Sequence, residues 1–278
     1  MTSSVLQLFV YPIKSLKGIA CDELLLTDRG PANDRRWMLV DEHGRFITQR
    51  EVPRLCLFDL ALLDNGIRVQ SGVNDGCITI PFALTSGVSR NVSVWSDTLD
   101  AIECTNEVNQ FFSQEIDRDC RLVYMPDATE RLSDIRYSGT RSLTSLADAF
   151  PLLIVGSQSL ELLNRRLIEA NEPALTWDRF RPNVVVNTHE PHEEDAWAGF
   201  RMGNIQARGV KLCSRCVMTT IEQSSALGGK EPLRTLATYR KIGGKIMFGQ
   251  HVIAEKGIVR VGDSVEVDLI GLPPNARS

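Results

Sequence analysis

Val210-Lys-Leu-Cys213-Ser-Arg-Cys216-Val-Met-Thr-Thr-Ile221 is the stretch on which the fold of this chain turns. Its flanks, Val210-Lys-Leu on one side and Val217-Met-Thr-Thr-Ile221 on the other, are β-branched and apolar, so both are expected to be strands. The two thiols therefore sit in a β-framework and not at a strand-to-helix junction. A thioredoxin-type pair needs that junction, because the helix N-terminus lowers the thiol pKa. A structural zinc site needs four ligands, normally a second Cys-x-x-Cys or two histidines. Cys21, Cys56, Cys77, Cys104 and Cys120 form no second close pair, and His43, His189, His192 and His251 are scattered. Zinc would thus require long-range assembly. A Cys/His hydrolase needs a base oriented by a third group, and no signature supplies one. Two buried cysteines acting as small apolar residues are the plain alternative. Arg215 between them argues against that, because a buried arginine demands partners.

Composition narrows the class. A chain of 278 residues fits one large domain or two of ordinary size. Apolar residues at 43% and charged ones at 24% describe a globular protein. No apolar run approaches the roughly 20 residues of a membrane span, so no membrane association is expected. The start, Met1-Thr-Ser-Ser-Val-Leu-Gln-Leu-Phe-Val-Tyr11, lacks the basic region of a signal peptide and reads as a first strand. Seven cysteines without a regular framework suit a reducing compartment, so the expected location is cytoplasmic. A net charge of −4 disfavours stable nucleic-acid binding.

Against that acidic background, four basic clusters stand out: Lys14-Ser15-Leu-Lys17 after the opening strand, Arg35-Arg36, Arg50 to Arg54, and Arg179-Phe-Arg181-Pro-Asn183. Each lies at a strand edge or turn. Arginine suits bidentate recognition of phosphate and lysine adds a point charge. Any one cluster alone reads as solvated surface; four, with Arg215, matter if the fold brings them together. A reactive thiolate beside an arginine, with distant basic motifs on a β-framework, then points to a bound anionic metal cofactor.

Strands are expected at Val5–Tyr11, Trp37–Val40, Arg45–Thr48 after the turn Asp41–Gly44, Leu55–Leu63, Gly66–Gln70, Ile78–Ile80, Val92–Trp95 and Leu152–Val155. Thr105–Ile116 reads as a helix capped by Thr105, with Val108, Phe111, Phe112 and Ile116 on one face. A second helix is expected from about Ser157, carrying Leu160, Leu163 and Leu167, and a short one after Pro232. Ile258–Val267 reads as strand, tight turn and strand. The segment His189-Glu-Pro-His192-Glu-Glu-Asp195, with its proline and acids, reads as a solvated loop. The fold class is α+β and β-rich.

Taken together, Tyr11-Pro-Ile-Lys14-Ser15, Asp34-Arg35, Arg181-Pro-Asn183, Cys213-Ser-Arg-Cys216, Glu231-Pro-Leu-Arg-Thr-Leu236, Phe248-Gly-Gln250 and Val261-Gly-Asp263 resemble the MOSC family. More narrowly they resemble the bacterial YcbX-type proteins and the mitochondrial amidoxime-reducing component. The match runs in order along almost the whole chain. It implies a MOSC β-barrel with flanking helices and an N-terminal β-barrel-like region, divided as residues 1–120 and 121–278. It also implies a molybdenum cofactor, with Cys216 as the catalytic residue and metal ligand. The implied cofactor-binding residues are Lys14, Ser15, Arg35, Arg181, Asn183, Ser214 and Arg215, with Arg50 added from a Thr-x-Arg segment. Soft thiolate ligation at Cys216 agrees with that metal, and Arg215 favours the thiolate.

The implied activity is reduction of N-hydroxylated compounds (hydroxylamines, amidoximes and N-hydroxylated bases), in which the metal carries the two-electron chemistry and the protein supplies binding and orientation. The YcbX-type relatives carry a C-terminal iron–sulfur domain with a C-x₄-C-x₂-C run, and this chain ends soon after Val267. An external electron donor (ferredoxin, flavodoxin or reductase) is therefore expected, unless the sequence is part of a longer one. Phe150 stands where the mitochondrial relatives place a serine, which removes one polar contact. Two other functions fit the same resemblance: sulfur transfer, which calls for a pyridoxal-phosphate domain absent from this sequence, and a cofactor carrier without turnover.

Overall fold

The computed structural model describes residues 3–82 and 87–276. Seven strands close into a barrel: Leu152–Gly156, Val184–Val186, Ser3–Val10, Ser264–Ile270, Trp197–Met202, Ile205–Ser214 and Lys245–Ala254, the last pairing back onto Leu152–Gly156. Only Leu152–Gly156 and Val184–Val186 run parallel. A parallel pair needs a crossover connection, and the helix Ser157–Glu169 lies in it. Both strands are buried at every position, as unbroken apolar runs should be when covered on two faces. Val5, Leu8, Val10, Ile154, Trp197, Phe200, Met202 and Val252 fill the barrel.

The first strand lies between Val184–Val186 and Ser264–Ile270, so the chain's beginning is built into the C-terminal half. From there the chain leaves to form a four-stranded sheet ordered Trp37–Val40, Arg121–Tyr124, Asp97–Glu103, Ser89–Val94, and a meander Phe58–Leu63, Gly66–Ser71, Cys77–Pro81. The helix Asn106–Ile116 covers them. The Thr105 hydroxyl caps it by accepting from the Val108 N–H, and Val108, Phe112 and Ile116 are buried against Phe58 and its neighbours. The α+β, β-rich class and the expected barrel with few helices hold. Among the described residues no helix is long and apolar enough to cross a membrane.

Four local expectations need correction. Val217–Thr220 is a 3₁₀ turn and not a strand. The Thr219 and Thr220 hydroxyls donate to the Cys216 and Val217 carbonyls, offering the backbone a local alternative to a ladder. Pro53–Leu57 is likewise a 3₁₀ turn, with Pro at its start, so the strand begins only at Phe58. The turn at Asp41–Gly44 forms, but Arg45 and Phe46 make isolated bridges rather than a hairpin arm. Finally, His189–Asp195 is no solvated loop: Glu194 and Asp195 are buried in a 3₁₀ turn.

Candidate functional site

Between the barrel and the N-terminal sheets lies a cavity of about 630 Å³, within the range of small-molecule sites. Lys14 and Ser15 enter it from the loop after the first strand, and Arg35 from the turn before Trp37–Val40. Arg181 and Asn183 come from the approach to Val184–Val186, and Ser214, Arg215 and Cys216 from the end of Ile205–Ser214. With Arg50, all nine residues singled out from the sequence line this one cavity. Lys17 and Arg36, from the same clusters, face away and pair with Asp59 and Asp127.

Backbone strain concentrates here. Asn, Asp and His tolerate positive φ. The other non-glycine residues found there, among those described, are Ser15, Arg35, Trp95, Arg181 and Ala226. All but Ala226 line the cavity. Each such residue costs of order 1–3 kcal/mol, and such outliers cluster where a site over-determines them. At Ser15 the restraint is visible: its carbonyl accepts from the Gln49 amide at 2.6 Å, and Gln49 is held by Gln223.

The charges are built as a network. Arg35 and Arg181 stack on the Tyr11 ring, each guanidinium carbon 4.3 Å from its centroid. Arg35 donates to Asp34 (2.6 Å), to the Asn183 carboxamide oxygen (3.1 Å) and to the Arg181 carbonyl (3.2 Å). Arg181 donates to the Leu16 carbonyl at 2.6 Å. Burial, reinforced by Arg35, pushes the Arg181 pKa down to about 10. Burial likewise lowers Lys14, against the pull of Asp148 at 2.5 Å. For Asp148 burial acts upward, but Lys14, the Trp95 N–H and Arg35 together outweigh it and hold the carboxyl below the usual range. Its side chain is 59% exposed, so the ionised oxygens face the cavity.

Among the described residues, eight cationic side chains and three carboxylates line this cavity, in a chain whose net charge is −4. Arg181, which is buried, and Arg35, which is partly so, carry like charges that destabilise each other, and an anion between them would relieve that. The lining is therefore strongly cationic.

The thiols separate by exposure. Cys213 is buried and its pKa is raised by burial, so it stays protonated; Cys216 is exposed at the head of the 3₁₀ turn. Neither is bonded to another cysteine. Arg215 between them donates to the carbonyls of Phe248 and Phe180, both at 3.0 Å. The half-buried arginine is thus partnered by backbone carbonyls, which fixes the turn presenting Cys216. Arg179 holds the other side of that turn through the Thr219 carbonyl at 2.8 Å.

Two models of one family match in tandem, the MOSC N-terminal beta barrel domain over residues 2–119 and the MOSC domain over residues 142–266. The chain belongs to the MOSC family. Mitochondrial amidoxime-reducing component 1 of Mus musculus is 30% identical over 94% of this chain and 81% of its own length. Mitochondrial amidoxime reducing component 2 of Rattus norvegicus is 31% identical, over 94% and 82%. The molybdenum cofactor sulfurase of Oryza sativa is 32% identical over 87% of this chain, which corresponds to 31% of that longer protein.

Several lining residues of this MOSC chain carried no sequence signal. Arg131 donates to the Ser145 carbonyl and pairs with Asp97 at 2.7 Å, holding the loop that carries Asp148. His251 lines the cavity beside Phe150, ring to ring at 5.4 Å, with a buried Nδ1 that has no hydrogen-bond partner among the described residues. Burial, with Arg215 and Lys211 nearby, pushes its pKa down to about 3, so it is neutral. A lone histidine in a strand gives no pattern to read. Elsewhere, His192, Glu194 and Asp195 offer ligand atoms within 4.8 Å of one another. Their carboxylates are already engaged. Glu194 accepts from the Ser159 hydroxyl at 2.8 Å and from the Gly156 main chain at the start of the helix, and Asp195 pairs with Arg240.

Proposed function

We propose that this cavity holds a molybdenum cofactor and that the protein reduces N-hydroxylated compounds, taking electrons from a separate donor protein. One observation carries the proposal: an exposed cysteine thiol opens into a cavity whose lining is strongly cationic. A pterin cofactor with a phosphate and a thiophilic metal needs both features in one place. The names of the relatives, amidoxime-reducing components and molybdenum cofactor sulfurases, support the same class.

In this assignment Cys216 is the protein's ligand to the metal, as thiolate. Buried Cys213 backs the turn and stays a thiol. Lys14, Arg35 and Arg181 receive the phosphate, and the Ser15 and Ser214 hydroxyls face the pterin edges. Arg50 lines the outer rim. Asn183 acts differently. Its amide donates to the Phe9 carbonyl and to Asp34, while its oxygen accepts from Arg35 and the Leu153 N–H. That uses both donors and both lone pairs, so Asn183 contributes by orienting Arg35. When bound, the cofactor supplies the two-electron reduction of the N–O bond. The chain's own share is to orient substrate in the cavity and to hold neutral His251, a proton donor or acceptor, in its wall.

The test is turnover. Protein from a host that makes the cofactor should reduce an amidoxime when supplied with reduced methyl viologen, and Cys216→Ser should not. Equal turnover by Cys216→Ser would remove Cys216 from the metal. Bound molybdenum without turnover would favour a carrier.

A further inference from the structure

A tryptophan at the cavity rim combines two unfavourable features. Strands Ser89–Val94 and Asp97–Glu103 pair antiparallel from Val94 opposite Asp97, so Trp95-Ser96 is a two-residue hairpin loop. Such loops favour Asn, Asp or Gly where φ is positive, yet Trp95 sits there at φ 58°. A bulky residue in that region is strained. Trp95 is also 50% exposed, so half of a large apolar side chain faces solvent instead of core. Asn or Gly would satisfy the turn at lower cost on both counts.

The ring is nonetheless fixed in place. Its N–H donates to Asp148 at 3.2 Å, the Arg50 guanidinium lies 4.5 Å from its centroid, and Phe46 packs at 5.2 Å. Asp148 is itself anchored by Lys14. The indole borders both the main cavity and a smaller recess beside it, formed with Arg45, Phe46, Arg50 and Glu51. An oriented, half-exposed aromatic next to an ionised carboxylate presents a flat apolar surface and a hydrogen-bond acceptor side by side.

We propose that Trp95 is the stacking platform for substrate and that Asp148 accepts the substrate's N–H. The pair selects planar, π-conjugated N-hydroxylated compounds bearing an amino group over small aliphatic or inorganic hydroxylamines. This rests on the reductase assignment above and adds its selectivity. Stacking on an aromatic platform is sequence-tolerant but demands a π-face, which hydroxylamine lacks and an aromatic amidoxime has.

The experiment compares wild type, Trp95→Phe and Trp95→Gly, all loaded with cofactor; glycine suits the positive φ and spares the turn. Binding of benzamidoxime to the oxidised protein without reductant is measured by calorimetry. Steady-state reduction of benzamidoxime and of hydroxylamine is measured with reduced methyl viologen. In Trp95→Gly, benzamidoxime affinity should weaken about tenfold, and the benzamidoxime-to-hydroxylamine ratio of kcat/KM should fall by a similar factor, carried by KM. Trp95→Phe should recover most of both. Unchanged benzamidoxime binding in Trp95→Gly would overturn the proposal. So would an equal loss for both substrates, which would make Trp95 a clamp on Asp148 and Arg50. A wild type that reduces hydroxylamine but not benzamidoxime overturns the platform and leaves the reductase standing; one that reduces neither overturns both.

Discussion

Arg181 shows how a residue is committed to a site at the expense of its own comfort. It is buried, held at positive φ and repelled by Arg35, with stacking on Tyr11 as partial compensation. A bound anion would offset those costs. Arg181→Ala should therefore weaken cofactor retention by about 1.5–3 kcal/mol, the worth of a charge-assisted hydrogen bond, read as molybdenum content after extensive dialysis. Full retention would make Arg181 structural. The buried acids and the half-buried histidine outside the cavity make separate predictions. Burial, with Arg240 and Arg166 beyond it, lowers the His192 pKa from 6.5 to about 3. As the pH falls through that window the unfolded chain takes up a proton that the folded chain refuses, so stability is lost. Glu194, raised by burial and Asp195 from 4.5 to about 7, has the opposite sign: the folded chain keeps a proton that the unfolded chain releases, and stability falls as the pH rises through its window. Thermal melts should show a shallower acid limb for His192→Asn and a shallower fall from pH 4.5 to 7 for Glu194→Gln. Unchanged slopes would contradict these assignments.

Among the elements, legibility followed periodicity. The helix Asn106–Ile116 and its Thr105 cap were readable because Val108, Phe112 and Ile116 recur at helical spacing behind a capping residue. Val217–Thr220 was misread because β-branched residues favour strands on average, while two threonines here bond back to carbonyls three residues earlier. The strand Lys245–Ala254 was missed because its Lys-Ile-Met-Phe-Gly-Gln-His run mixes burial on both faces instead of alternating. It faces Ile205–Ser214 across Gly209, where any Cβ would overlap the carboxamide of Gln250. Gln250 is fully buried and tied to the Asp195 carbonyl at 3.1 Å, so it cannot yield cheaply. Gly209→Ala should destabilise the protein by about 1–3 kcal/mol, the usual cost of overpacking, measured by urea denaturation; a neutral result would mean that the strands part easily there.

Across the whole molecule, the barrel cannot close without the first strand, which supplies Val5, Leu8 and Val10 to its core between two C-terminal strands. A fragment of residues 121–278 should therefore lack a cooperative melt and near-ultraviolet dichroism, and a native-like melt would show that the half folds alone. That the nine residues would converge on one cavity was legible only through the joint resemblance of several motifs. Their sequence separation, from Lys14 to Cys216, leaves no local signal of proximity. Trp95, Arg131 and His251 belong to no charged cluster and became visible only when the chain brought them to the cavity wall. The central claim is that this cavity takes a molybdenum cofactor through Cys216. Elemental mass spectrometry of the wild type and Cys216→Ser, both from a host able to make the cofactor, tests it most directly. Near-stoichiometric molybdenum in the wild type with a reduced content in the variant is expected; zinc in place of molybdenum, or molybdenum unaffected by the loss of the thiol, would contradict it.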